Sequence, residues 1–157
     1  MPAQEETEKP AARRKYAASR EMPYRQALIS LVVGDVLVFI IFVIIGDSSH
    51  QLLNGLASIP HVILVALPFI VGWFLVSPFL GLFRREIFTQ PRAMAIRTAL
   101  AWIPAWVIAM ILRGIFVDHG IPPTAFMIVS LLFNLAILEI WRWPFALNNV
   151  VRKRNIQ

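Results

Sequence analysis

The chain has 157 residues, 58% of them hydrophobic and 15% charged, with a mean hydropathy of +0.67, a balance too apolar for a soluble domain of ordinary composition. The net charge of +6 does not point to nucleic acid, because the basic residues stand in short blocks beside apolar runs instead of lining one face. Cysteine is absent, which excludes a disulfide framework and thiol chemistry.

Residues 1–25 are polar, with Glu5, Glu6, Glu8 and Glu21 set against Lys9, Arg13, Arg14, Lys15, Arg20 and Arg25. Such a segment reads as a flexible cytoplasmic tail. The apolar run behind it is too long for a signal peptide and its positive flank precedes it, so it reads as an uncleaved anchor.

Residues 26–147 read as a four-span transmembrane domain, with apolar runs at about 27–46, 60–83, 94–117 and 123–147, each near the ~20 residues that cross a hydrocarbon core. Residues 148–157 read as a basic cytoplasmic tail. No Lys or Arg falls between Asp47 and Ile59, whereas Arg84, Arg85, Arg92 and Arg97 crowd the second connection and Arg152, Lys153 and Arg154 follow the last run. The positive-inside rule then places both termini and the middle connection in the cytoplasm. The expected fold is an all-α, integral membrane four-helix bundle of two parallel-oriented hairpins, N-in and C-in.

Trp141 and Trp143 approach the inner end of span 4, where indoles favour the headgroup region, while Trp73 sits nearer the middle of span 2. Pro68, Pro78, Pro104 and Pro144 fall within or near the ends of spans, so kinks are expected, above all in span 2. The second hairpin begins about 67 residues after the first, with Pro78-Phe79 near Pro144-Phe145 in that register, a hint of an internal repeat.

Asp35 is the carboxylate inside span 1. A central Asp costs about +2.5 to +3.5 kcal/mol on the insertion scale, a cost that the surrounding Leu, Ile, Val and Phe offset. Asp35, Phe39, Phe42 and Gly46 recur at i, i+4, i+7 and i+11 and should face the bundle, with Gly34 allowing close helix approach. Counted from the inner ends, Glu139 lies at similar depth, Arg142 is about one turn nearer the cytoplasm, and Asn134 is near the midplane. Asp35, Glu139, Arg142 and Asn134 thus form a candidate intramembrane polar cluster. It holds either a structural ion pair or a proton- or cation-binding carboxylate, unless Glu139 and Arg142 satisfy each other and snorkel.

Arg113, in the outer part of span 3, shares a stripe with Trp102, Trp106 and Ala109. It can hold an anionic headgroup or substrate, or pair with Asp47 or Asp118. His50, His61 and His119 fall on the same outer side, without the spacing of a metal site. Gly34-Asp35 matches the dipeptide of intramembrane aspartyl proteases, but residue 32 is Val and no second intramembrane Asp exists. Phosphate-cradling loops and nucleophile elbows are missing too. No catalytic residue, cofactor or metal is expected, and the chain reads as a non-enzyme.

Jointly, Asp35, Phe42, Gly46, Ser49 and His50, then Pro68-Phe69, Gly72 and Trp73, then Trp102 and Arg113, then Phe126, Trp141 and Arg142 resemble the bacterial and archaeal family called domain of unknown function 3054. The resemblance covers residues from about 30 to 143. It implies a four-helix membrane bundle, points at Asp35, His50, Arg113 and Arg142, and implies no activity. Many members have Arg where this chain has Asp47, a change that would let Asp47 pair with Arg113.

A small polytopic protein of the prokaryotic cell membrane is the resulting expectation, either a non-enzymatic subunit or accessory factor of a membrane complex, or a small oligomeric transporter or ion-conducting protein using Asp35, Glu139 and Arg142. The expected partners are the lipid bilayer and further copies or subunits, not nucleic acid.

Overall fold

The computed structural model describes residues 23–49 and 58–154. The expected tail over residues 1–22, His50 and residues 155–157 lie outside the described residues. Among the described residues four α-helices make up the fold: α1 (Tyr24–Ser49), α2 (Ile59–Val76), α3 (Pro91–Phe116) and α4 (Thr124–Arg154). A short 3-10 helix, Arg85–Thr89, sits between α2 and α3. No strand occurs among the described residues.

Proline sets where the last three helices begin. Pro60 and Pro91 occupy the first turns of α2 and α3, where the missing N–H would have no helical partner in any case. Pro122 and Pro123 directly precede α4, and the Met127 N–H donates to the Pro123 carbonyl at 3.0 Å.

Two helix ends depart from the apolar runs. α2 stops at Val76 rather than continuing to residue 83. Pro78 cannot donate to a helix, and its ring would collide with the carbonyl four residues back. The chain turns there, with Ser77 N–H on the Trp73 carbonyl (2.9 Å) and Leu82 N–H on the Ser77 carbonyl (3.2 Å). α4 runs on to Arg154 through residues read as tail, because Asn148 to Arg154 contain no proline or glycine to stop it. Pro78 therefore lies in a turn and Pro144 inside a helix, so the two Pro-Phe pairs are not structural equivalents and the hinted repeat does not extend to them.

Each helix packs on the next in sequence, and α4 returns to α1. Aromatic rings fill the middle: Phe39 stacks on Trp102 (5.6 Å), Phe42 meets Phe69 edge-on (5.5 Å), and Phe69 reaches Phe126 (6.3 Å). Glycine lets the walls close on this filling. A Cβ on Gly34 would stand 2.1 Å from the Trp141 ring, and one on Gly72 would stand 2.4 Å from the Ala105 carbonyl oxygen. These are the small-residue contacts by which apolar helices approach in lipid. Trp141 is thereby drawn into the α1–α4 seam, its indole nitrogen buried without a partner, whereas Trp143 is exposed.

A second apolar cluster closes one end. Ile87 and Phe88 of the 3-10 helix insert among Ala27, Leu31, Met94 and Ala146. Tyr24 stacks on Phe88 (5.8 Å) and its hydroxyl donates to the Phe83 carbonyl (2.8 Å). The Arg-rich connection is thus folded onto the bundle, with Arg97 Nη1 donating to the Leu80 carbonyl at 3.0 Å.

The outer surface inverts the rule for soluble proteins. Ile29, Val33, Leu37, Ile41 and Ile45 form an exposed stripe along α1, and Ile96, Leu100, Ile103, Val107, Ile111 and Ile115 form another along α3. All four helices are long and apolar enough to cross a membrane. α1, with 26 residues, is roughly 39 Å long at ~1.5 Å per residue, against a hydrocarbon core of about 30 Å.

Candidate functional site

Helical spacing delivers one acid and one base to the same buried point. On α1 the inward stripe Leu31, Asp35, Phe39 and Phe42 is buried, as is the α4 stripe Ser130, Asn134, Leu138, Arg142 and Ala146. Asp35 and Arg142 therefore face each other across the α1–α4 seam, each 0% exposed. Arg142 Nε donates to Asp35 Oδ1 at 2.9 Å, and Arg142 Nη2 donates to Asp35 Oδ2. α2 adds the third member, since Trp73 Nε1 donates to Asp35 Oδ2 at 3.0 Å. The guanidinium carbon also sits 4.8 Å from the Trp73 ring centroid and 5.6 Å from that of Phe83.

This is a planar fork on a carboxylate, the strongest geometry available to the two groups, with aromatic faces supplying cation–π attraction on the flank. Asp35 spends both oxygens on donors, whereas Arg142 Nη1 is buried and unpartnered. Formal charges cancel, so the bundle interior carries a neutral, oriented dipole.

The four-residue cluster is thereby divided. Asn134 is buried two turns from Arg142, its Nδ2 donating to the Ser130 carbonyl at 2.9 Å and its Oδ1 unpartnered. Glu139 is half-buried, and no hydrogen bond joins it to Asp35 or Arg142 among the described residues. Arg142 does not hydrogen-bond two carboxylates: Asp35 takes both donors in a fork, while Glu139, three residues before Arg142, feels its charge without a hydrogen bond among the described residues.

At the far end of the bundle Arg113 takes Asp118, one of the two loop acids expected as its partner, and not Asp47. Its Nε and Nη2 donate to Asp118 Oδ2 and Oδ1 at 2.9 and 3.1 Å. The turn after α3 brings Asp118 back, with both Val117 and Asp118 N–H groups on the Arg113 carbonyl, and this local partner needs no long-range alignment. The guanidinium lies over Phe126 at 4.1 Å. Asp47 instead has His61 Nε2 at 3.6 Å from its Oδ2. Next to Arg113 on its stripe, Trp102 Nε1 donates to the Leu131 carbonyl (2.8 Å) and Trp106 Nε1 to Ser130 Oγ (3.0 Å), so these indoles tie α3 to α4. No group of three or more metal-ligating side chains forms among the described residues.

The residue that sequence reasoning missed is Trp73. Its signal was its position: an indole in mid-span, away from the interface that such rings favour, needs a buried acceptor for its N–H.

A family model described as a protein of unknown function, DUF3054, matches residues 32–145. The chain belongs to the DUF3054 family. The matched segment begins just ahead of Asp35 and ends just past Arg142, so it contains all three members of the ion-pair site and the Arg113–Asp118 pair. No curated protein and no solved structure matches the chain.

Proposed function

We propose that this DUF3054 member is a multi-pass protein of the prokaryotic cell membrane that works as a non-enzymatic subunit or accessory factor of a membrane complex, with Asp35, Arg142 and Trp73 fixing how its helices pack. The observation that carries this reading is the closure of the site. Among the described residues the two charged side chains with no exposure are paired with each other, in a dry seam that supports a packing role for the pair. The exposed apolar stripes on α1 and α3 are suited to lipid or to a neighbouring subunit.

Orientation follows the charges: Arg84, Arg85 and Arg92 with Arg152 toward the cytoplasm, Asp47 and Asp118 toward the outside. The contacts favour two hairpins. Along α1 and α2 the touching pairs are Asp35 with Trp73, Phe42 with Phe69 and Asp47 with His61, a descending order in α2.

The second reading, an oligomeric transporter or ion conductor, draws on Glu139, a half-buried carboxylate on α4 outside the ion pair. Gentle detergent extraction from the native membrane, affinity capture of the tagged chain and identification of co-purifying subunits separates the two. A stoichiometric partner supports the subunit reading. Recovery as a homo-oligomer that gives proteoliposomes a proton or cation flux abolished by Glu139→Gln would refute it.

A further inference from the structure

A cavity of about 750 Å³ opens between the helix ends at the Asp47–Arg113 side of the bundle. Its deep walls are apolar, built from Phe42 and Val43 of α1, Val65 of α2, and Phe126 and Val129 of α4. Four ionisable groups stand at its mouth: Asp47, His61, Arg113 and Asp118. Two of them keep an unused polar atom aimed away from solvent. Asp47 Oδ2 is buried and accepts no hydrogen bond, with His61 at 3.6 Å beyond bonding distance, and Arg113 Nη1 is buried and donates to nothing.

An unused buried acceptor and an unused buried donor on residues lining one cavity are costly unless something supplies both partners. The charges narrow the choice. Arg113 is already neutralised by Asp118, which leaves the Asp47 carboxylate as the uncompensated charge when His61 is neutral. A plain anion is thus disfavoured, and a group with N–H donors and positive charge is favoured at Asp47, joined to an oxygen acceptor for Arg113. Because the mouth lies at helix ends and the walls run inward along the spans, the remainder of the ligand is an apolar chain.

We infer that this cavity is a binding site for an amphiphile with a primary ammonium and a phosphate oxygen in its headgroup, of the chemistry of an aminophospholipid. The ammonium donates to Asp47, the phosphate accepts from Arg113 Nη1, and an acyl chain lies against Phe42, Val65 and Phe126. The inference rests on the four helices spanning the membrane. Within the site Arg113 is held flat by Phe126, so its free edge is pre-aligned.

The test is native mass spectrometry of the delipidated full chain in a non-ionic detergent, titrated separately with phosphatidylethanolamine, phosphatidylcholine and phosphatidylglycerol. Phosphatidylethanolamine is expected to be retained at one per chain and about tenfold more tightly than the other two, the ratio set by a single charge-assisted hydrogen bond. Asp47→Asn should erase that preference. Ala125→Trp, which fills the mouth from an exposed lining position and leaves every charge in place, should abolish retention even if Asp47→Asn does not fold. Chain-free phosphoethanolamine competing at equal concentration would assign the site to a soluble headgroup-like solute instead of a lipid. Equal retention of all three lipids, or full retention by Ala125→Trp, overturns the proposal. Failure of the spanning premise reads out separately, as release of the chain from membranes by alkaline carbonate without detergent.

Discussion

Replacing Arg142 with Met removes both forked donors from Asp35 and leaves a carboxylate inside the bundle with Trp73 Nε1 as its partner. Breaking a buried ion pair from one side costs about 3–5 kcal/mol, because the survivor keeps its desolvation penalty without its counter-charge. Removing both ends at once removes the penalty too, so the double variant Asp35→Leu with Arg142→Met should fall between neutral and about 4 kcal/mol more stable. The single variants and the double variant therefore differ in sign as well as size. Reversible unfolding in mixed micelles, followed by far-UV circular dichroism against denaturing-detergent fraction, gives all four corners of the cycle. Interhelical hydrogen bonds in a membrane average only about 0.6 kcal/mol. If Arg142→Met and Asp35→Leu each cost no more than that and add in the double variant, the pair does not hold the bundle and the reasoning fails.

Trp73→Phe keeps the ring over Arg142 but deletes the donor to Asp35 Oδ2, and should cost about 1–3 kcal/mol in the same unfolding assay, with little further loss once Asp35 is already Leu. Gly34→Ala pushes a methyl into Trp141; a cost of about 1–3 kcal/mol is expected from overpacking, with recovery when Trp141→Leu is made alongside. Asp118→Asn removes a partly exposed partner of Arg113 and should shift stability by no more than about 1 kcal/mol, measured as the thermal midpoint. Because the chain has no cysteine, Asn54→Cys and Gln90→Cys can report topology one at a time. An impermeant maleimide applied to intact spheroplasts should label position 54 and leave position 90 unlabelled until lysis, and the opposite pattern would invert the orientation proposed above.

Long apolar runs made the helices legible, since about 20 such residues have few other uses. Their ends were less so. Hydropathy alone carried span 2 through residue 83, whereas a proline at position 78 has already ended α2 at Val76. Asp35 and Arg142 could be placed at neighbouring depth by counting from the inner ends, but counting gives a level and not a direction around the helix. Counting therefore could not say that the forked hydrogen bonds of Arg142 would go to Asp35 while Glu139 meets only its charge. For Arg113 the competing partners were one turn away and one helix away, and the chain took the nearer. Trp73 could be found only by asking what a mid-span indole N–H donates to, a question that periodicity does not raise.

The Asp35–Arg142 contact joins residues 107 positions apart, on α1 and α4, so α1 leaves the ribosome well before the helix that carries its counter-ion. Throughout synthesis of α2 and α3, α1 holds an acid whose counter-ion does not yet exist. Trp73 arrives first and offers one donor; the charge is met only when α4 is nearly complete. The α1–α4 seam therefore gains its ion pair only after α2 and α3 are in place, and a chain truncated before Arg142 carries a buried carboxylate without its counter-charge.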